Sequence, residues 1–135
     1  MSYLDQSIRD IHRALVERLT TPLDLAKEAL ARAKASKDNA FEMILEDEAL
    51  AFASSLTEPE KDNLLWGIPY LAKDNFSTKD LETTASSNVL NGYKPLFDAT
   101  VIRKLREKKC VLIGKTTLDE LAMGGTGTTG HKGIT

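Results

Sequence analysis

Ile8, Ile11, Leu15 and Leu19 recur at three- and four-residue intervals, with Arg9, Asp10, Arg13, Glu17 and Arg18 between them. This spacing places the apolar residues on one face of a helix over about residues 5–19, and that face needs a partner surface. Thr21-Pro22-Leu23-Asp24 then supplies an N-cap, a proline at the first helical position and an acid in the first turn. A second helix is therefore predicted to about Ala35, with Ser36 to Asn39 ending it. Phe41 to Leu45 has the length and apolarity of a strand, and Glu46 to Leu56, rich in Ala, Leu and Glu, favours helix until Thr57-Glu58-Pro59 breaks it. Leu64 to Ala72 is apolar almost throughout and too short for a typical helix, which predicts a buried strand that delivers Lys73 at its end. Pro69 removes one ladder hydrogen bond from that strand.

Residues 74–97 carry many turn-forming and hydroxyl side chains and read as a long loop, a kind of segment that often carries function. Asp98 is placed to cap a helix bearing Val101, Ile102 and Leu105, and a strand follows at Cys110 to Ile113. Thr117-Leu118-Asp119-Glu120 matches a capping box for a short helix through Ala122, after which Gly124 to Gly133 is glycine- and threonine-rich. The order strand, loop, helix, strand implies an α/β sheet within one domain spanning residues 1–135, with no internal boundary.

Composition changes this picture little: 135 residues, 41% hydrophobic and 28% charged, suit one globular domain. With 18 Lys+Arg against 20 Asp+Glu, the net charge of -2 provides no basic face, which argues against direct nucleic-acid binding. The first residues lack a basic segment followed by an apolar one, and no run is long enough to span a bilayer, so no membrane association and a cytoplasmic location are expected. Cys110 lies inside the apolar run Cys110-Val111-Leu112-Ile113, where it reads as a small buried hydrophobe and not a nucleophile.

Several motifs invite chemistry. Gly114-Lys115-Thr116-Thr117 resembles the end of a phosphate-binding loop, but Lys109 stands where that loop needs its first glycine. Gly125 to Gly130 has dinucleotide-fingerprint spacing yet follows a helix instead of a strand, so it reads as a flexible or ligand-shaping loop. His12 is expected to be solvated, and His131 has no second ligand at metal spacing, so no metal or cofactor is expected in this chain. Ser86 and Ser87 have neither a lysine three residues later nor a histidine nearby in sequence, and loop hydrogen bonding is their default role. Lys73 differs because an apolar strand ends on it. A lysine drawn into a low-dielectric interior favours its neutral form and serves as a general base; the alternative is a side chain that snorkels to solvent.

Leu65-Trp66-Gly67-Ile68-Pro69-Tyr70-Leu71-Ala72-Lys73-Asp74-Asn75 resembles the segment of the amidase-signature family in which a Gly-Ile-Pro strand leads into Lys-Asp-Asn. Further matches follow in order at Thr83 to Ser87, Tyr93, Pro95, Asp98 to Val101, Gly114 to Thr116 and Asp119 to Gly124. The resemblance implies the N-terminal part of the amidase-signature fold, with helices packed on a mixed sheet that is incomplete within these residues. It also implies a Ser–Ser–Lys hydrolase in which Lys73 is the base and Met123 and Gly124 lie near the substrate. Both serines belong to a Gly-Gly-Ser-Ser-Gly-Gly-Ser segment that these 135 residues do not contain, so the piece should be inactive and poorly stable alone. Asp119 to Gly124 favours the tRNA-dependent amidotransferase branch. For that branch the substrate is glutamine, the partners are B and C subunits, and ATP and Mg are used by a partner subunit. Beyond Gly124 the sequence departs from that branch's serine- and glutamate-containing stretch. Two alternatives stay open: a general amidase acting on another amide, and a non-catalytic module that docks a partner through its first two helices.

Overall fold

The computed structural model describes residues 2–135, in which two helices precede an alternation of three strands and two further helices. In chain order they are α1 (Ile8–Val16), α2 (Pro22–Ala35), β1 (Phe41–Ile44), α3 (Glu46–Ser55), β2 (Pro69–Lys73), α4 (Thr100–Glu107) and β3 (Val111–Thr116). Short 3-10 turns lie at Tyr3–Asp5, Asn88–Leu90 and Glu120–Ala122. The sheet has the order β1-β3-β2. β1 runs antiparallel to β3, with Ile44 opposite Gly114 and Met43 opposite Lys115. β2 runs parallel to β3, since Val111 N–H donates to Ile68 O and Asp74 N–H to Thr116 O, both partners advancing together. The predicted α/β class and mixed sheet are thus present.

The residues group into two compact units. One comprises Met1–Ala35, Leu45–Tyr70 and Leu105–Ile113; the other comprises Ser36–Ile44, Leu71–Lys104 and Gly114–Thr135. The segments interleave, so no single cut in the chain separates the two.

In the first unit, Ile11 and Leu15 of α1 pack with Leu25 of α2 and with Trp66 and Ile68, and Tyr3, Leu4 and Leu56 close over them. Sequence signals place α2 well: Thr21 Oγ1 accepts the Asp24 amide, and Pro22 is the first helical residue. α1 is shorter than the periodicity suggests. Ser7 caps it through the Asp10 amide, and Arg18, at φ +58°, ends it by sending the Leu19 amide back to Ala14 O. Leu19 consequently leaves the apolar face and is exposed. The apolar run from Leu64 is not strand throughout either. Gly67, at φ +70°, turns the chain, and β2 begins only at Pro69. His12 is half-buried rather than solvated, with Nε2 3.1 Å from Glu60 O. Cys110 is buried beside Leu65 O, and burial pushes its thiol up to about 11.

In the second unit, β1 and the far half of β3 frame the long loop 74–97 and the terminal loop after Thr117. Gly114 is obligatory in this frame, because a Cβ there would meet Met43 O at 2.4 Å. The expected helix capped by Thr117 does not form. Thr117 Oγ1 donates to Asn39 O, and only the 3-10 turn Glu120–Ala122 remains, with Leu121 and Ala122 at positive φ. Val89, Leu96, Phe97 and Met123 are exposed in this unit.

Candidate functional site

All the motif residues that follow Leu71 lie in the second unit, and three buried carboxylates organise them. The first is Asp74, directly after Lys73. Its Oδ2 accepts the Thr84 amide at 2.8 Å and the Thr84 hydroxyl at 2.7 Å, while Lys115 Nζ lies 2.9 Å from Oδ1. The latter contact is ionic without hydrogen-bond alignment, so Oδ1 is compensated by charge. Lys115 is completely buried and donates to Thr83 Oγ1 at 2.8 Å and Phe76 O at 3.0 Å. Burial pulls the Lys115 ammonium below the usual lysine range, and Asp74 opposes that shift without cancelling it.

The second carboxylate is Glu42 on β1, whose side chain is 3% exposed. It accepts the Ser86 hydroxyl at 2.6 Å, and His131 Nε2 and Lys132 Nζ each lie 3.0 Å from Oε2. Burial alone would raise its pKa, but Ser86, His131 and Lys132 together hold the carboxyl below its usual range. Asp119 is the third. Its Oδ2 accepts the Thr126 and Gly127 amides, and its Oδ1 accepts the Thr128 and Thr129 amides and the Thr129 hydroxyl. These converging N–H groups hold its carboxyl far below the carboxylate range. The glycine- and threonine-rich loop is therefore wrapped on an internal carboxylate.

Both loop serines are consumed by structure, as expected. Ser86 Oγ also accepts the Leu118 amide, and Ser87 Oγ donates to Glu120 and accepts from Val89. Ala85 and Ser86 have positive φ, so the chain doubles back to bring both hydroxyls inward. Among the described residues no group of three or more His, Cys, Asp or Glu is arranged to hold a metal ion. A cavity of about 130 Å³ is lined by Glu42, Asp74, Glu82, Thr84 and His131, among others, but by none of Lys73, Met123 and Gly124.

Lys73 closes β2 between buried Ala72 and buried Asp74, and its own side chain is exposed. The low-dielectric interior anticipated for it is not supplied by the described residues, because the pleat turns it away from the side that buries Asp74. No hydrogen bond or ion pair among the described residues engages its ammonium or links it to Met123 or Gly124. Met123 is 82% exposed. Gly124 has a packing reason to be glycine, since a Cβ there would meet the Asp119 side chain at 2.6 Å. Sequence reasoning missed Lys115, Glu42 and Asp119 as organisers. Only the residue types at the ends of β3 and β1 hint at them.

The sequence model of the amidase family matches residues 24–135. The chain belongs to the amidase family. It is similar to the A subunit of glutamyl-tRNA(Gln) amidotransferase from Streptococcus thermophilus, at 40% identity over 100% of this chain and 28% of that protein. The protein of the same description from Oenococcus oeni is 42% identical over 98% of this chain and, again, 28% of the relative. Among solved structures, a crystal structure of an amidase superposes with a TM-score of 0.83 at 35% identity, covering 96% of this chain and 31% of that one. The peptide amidase of Stenotrophomonas maltophilia gives 0.82 at 26% identity, covering 98% and 30%. This chain spans less than a third of the length of these amidase-family relatives.

Proposed function

We propose that this chain is the N-terminal part of a longer amidase-family enzyme that releases ammonia from glutamine to amidate glutamate or aspartate charged on tRNA. The observation that carries the reading is the 40% to 42% identity, along essentially the whole chain, to the A subunits of two amidotransferases. The two amidases of known structure described above are 26% and 35% identical. On this reading both compact units belong to one amidase domain. Glutamine is the ammonia source, B and C subunits complete the complex, and ATP and Mg are used by a partner subunit in the cytoplasm. No helix among the described residues is long and apolar enough to cross a membrane.

Lys73 acts as the general base. Neutral lysine takes a proton from a bridging serine, which takes one from the nucleophilic serine, and the nucleophile attacks the amide carbon with loss of ammonia. Both serines lie in the longer chain, since the glycine-serine segment does not occur in these residues. The remainder of the domain must also cover Lys73, because its side chain is exposed among the described residues and a base of this kind works in a water-poor interior. Met123 and Gly124 sit near the bound amide.

The test is ammonia release. The longer protein with its partner subunits turns over glutamine, Lys73→Ala abolishes that turnover, and the 135-residue chain alone shows none. Turnover by the 135-residue chain that Lys73→Ala removes would overturn the assignment of the nucleophile to a later segment. Release of ammonia from peptide amides but not from glutamine would favour a general amidase, the reading that the similarity to the peptide amidase supports.

A further inference from the structure

The turn that follows Lys73 is held by backbone bonds on both sides and by a buried ion pair. Asp74 N–H donates to Thr116 O and Asp74 O accepts the Ala85 amide, each at 3.0 Å, while Phe76 N–H closes back on Lys73 O at 3.0 Å. Lys115 Nζ sits inside this turn, bridging Asp74, Phe76 O and Thr83 Oγ1 within 3.0 Å, with no exposed surface on either ionic partner beyond 1%. A fully buried ion pair is an inefficient way to gain stability, because desolvation offsets most of the attraction and an apolar pair of similar volume serves as well. Its advantage is geometric. Two hydrogen bonds and one ion pair from a single ammonium fix three loci at once: the residue three after Lys73, the entry to the serine loop at 83–87, and the residue directly after Lys73.

We infer that Lys115, through Asp74, is a positioning residue for the Lys73 base. Lys115 itself touches neither base nor substrate. It fixes the backbone from which the Lys73 side chain projects and holds the Thr83 to Ser87 loop against it. Lys115 Nζ is engaged inside the protein, whereas Lys73 Nζ is held by no described group. The inference rests on the reading of Lys73 as the base.

The experiment compares Lys115→Met, Lys115→Met/Asp74→Asn and Lys73→Ala in the full-length enzyme with its partner subunits, measuring kcat and KM for glutamine and the thermal unfolding midpoint. The double variant leaves no buried unpaired charge, and the amide oxygen of its new asparagine still accepts from Thr84, so it decides the question if the single variant fails to fold. The expected result is a folded double variant whose kcat falls about 10- to 100-fold, the penalty of a base displaced by about an ångström, with KM changed less than about threefold. A purely structural role would lower the unfolding midpoint and leave kcat per folded enzyme intact. Wild-type kcat in the folded double variant, with Lys73→Ala inactive, overturns the positioning role and leaves the base assignment standing. Wild-type turnover in Lys73→Ala overturns the base assignment and the positioning role together.

Discussion

Replacing Gly67 with alanine tests the turn that starts β2. Gly67 has φ +70°, and a Cβ built there meets Pro22 Cγ at 2.7 Å and Pro22 Cβ at 3.0 Å. Two costs follow. Holding an L-residue in the left-handed region costs about 1–2 kcal/mol, and forcing a methyl group into packed surroundings costs about 1–3 kcal/mol. Against these, alanine restricts the unfolded chain and returns about 0.4–1 kcal/mol. The expected net loss is about 1–5 kcal/mol. Urea unfolding followed through Trp66, the single tryptophan and almost fully buried, reads it out directly. Pro22→Ala removes the nearer of the two clashing atoms, so a cycle of Gly67→Ala, Pro22→Ala and the double variant separates the costs. The steric part appears as a coupling of about 1 kcal/mol or more, and the backbone part persists in the double variant. A Gly67→Ala loss under about 0.5 kcal/mol, the range of an ordinary surface substitution, would refute the geometry. An additive cycle would refute the role of Pro22 alone.

Asp119→Asn offers one acceptor oxygen where two now serve five donors, so at least two loop N–H groups face an amide N–H₂. Amide exchange of Thr126 to Thr129 should accelerate about tenfold or more while β3 is unchanged, and unaltered protection would refute the anchoring role. Glu42 has a folded-state pKa below its unfolded value, so its stabilisation is present above the unfolded value and is lost as pH falls through the folded one. Stability should therefore decline below about pH 5, and Glu42→Gln should flatten part of that slope; parallel profiles would argue against it. Cys110, with its thiol pushed up to about 11, should resist alkylation at pH 8, where roughly one part in a thousand is thiolate, until the chain is denatured. Equal rates in native and denatured protein would contradict its burial.

Elements whose signals are local were legible in the sequence. α2 follows from Thr21-Pro22, and α3 from its Ala, Leu and Glu content, because capping and propensity act within a few residues. The misses occur where a backbone angle decides. Arg18 adopts a left-handed angle without being glycine, so nothing in the sequence marks the end of α1. The candidate site divides in the same way. Lys73 stood out as a candidate because a strand runs into it and the Gly-Ile-Pro to Lys-Asp-Asn resemblance covers it. The ligation of Glu42 by His131 joins residues 89 apart, and the Lys115 contact with Phe76 joins residues 39 apart. No local pattern signals either. Lys115 looked like the remnant of a phosphate loop because, in sequence, a lysine after glycine carries no sign of which carboxylate it will meet.

The resemblance motifs are spread over the chain from Leu65 to Gly124, yet from Asp74 onward several of their polar residues converge on one bonded set in the second unit. Asp74 of Lys-Asp-Asn binds Thr84 of the Thr-Thr-Ala-Ser-Ser run, and Lys115 of Gly-Lys-Thr meets both Asp74 and Thr83. Ser87 binds Glu120, next to the Asp119 that Gly124 packs against. Each of these groups is bonded to another, so removing one strands a buried partner without compensation. A chemical role is then best sought in a motif side chain that the network does not consume. Lys73 meets that condition, being flanked on both sides by buried residues while its ammonium is held by no described group. Asp74, Lys115, Ser86 and Ser87 are engaged in that network, and on the proposed reading they form the frame on which Lys73 is presented.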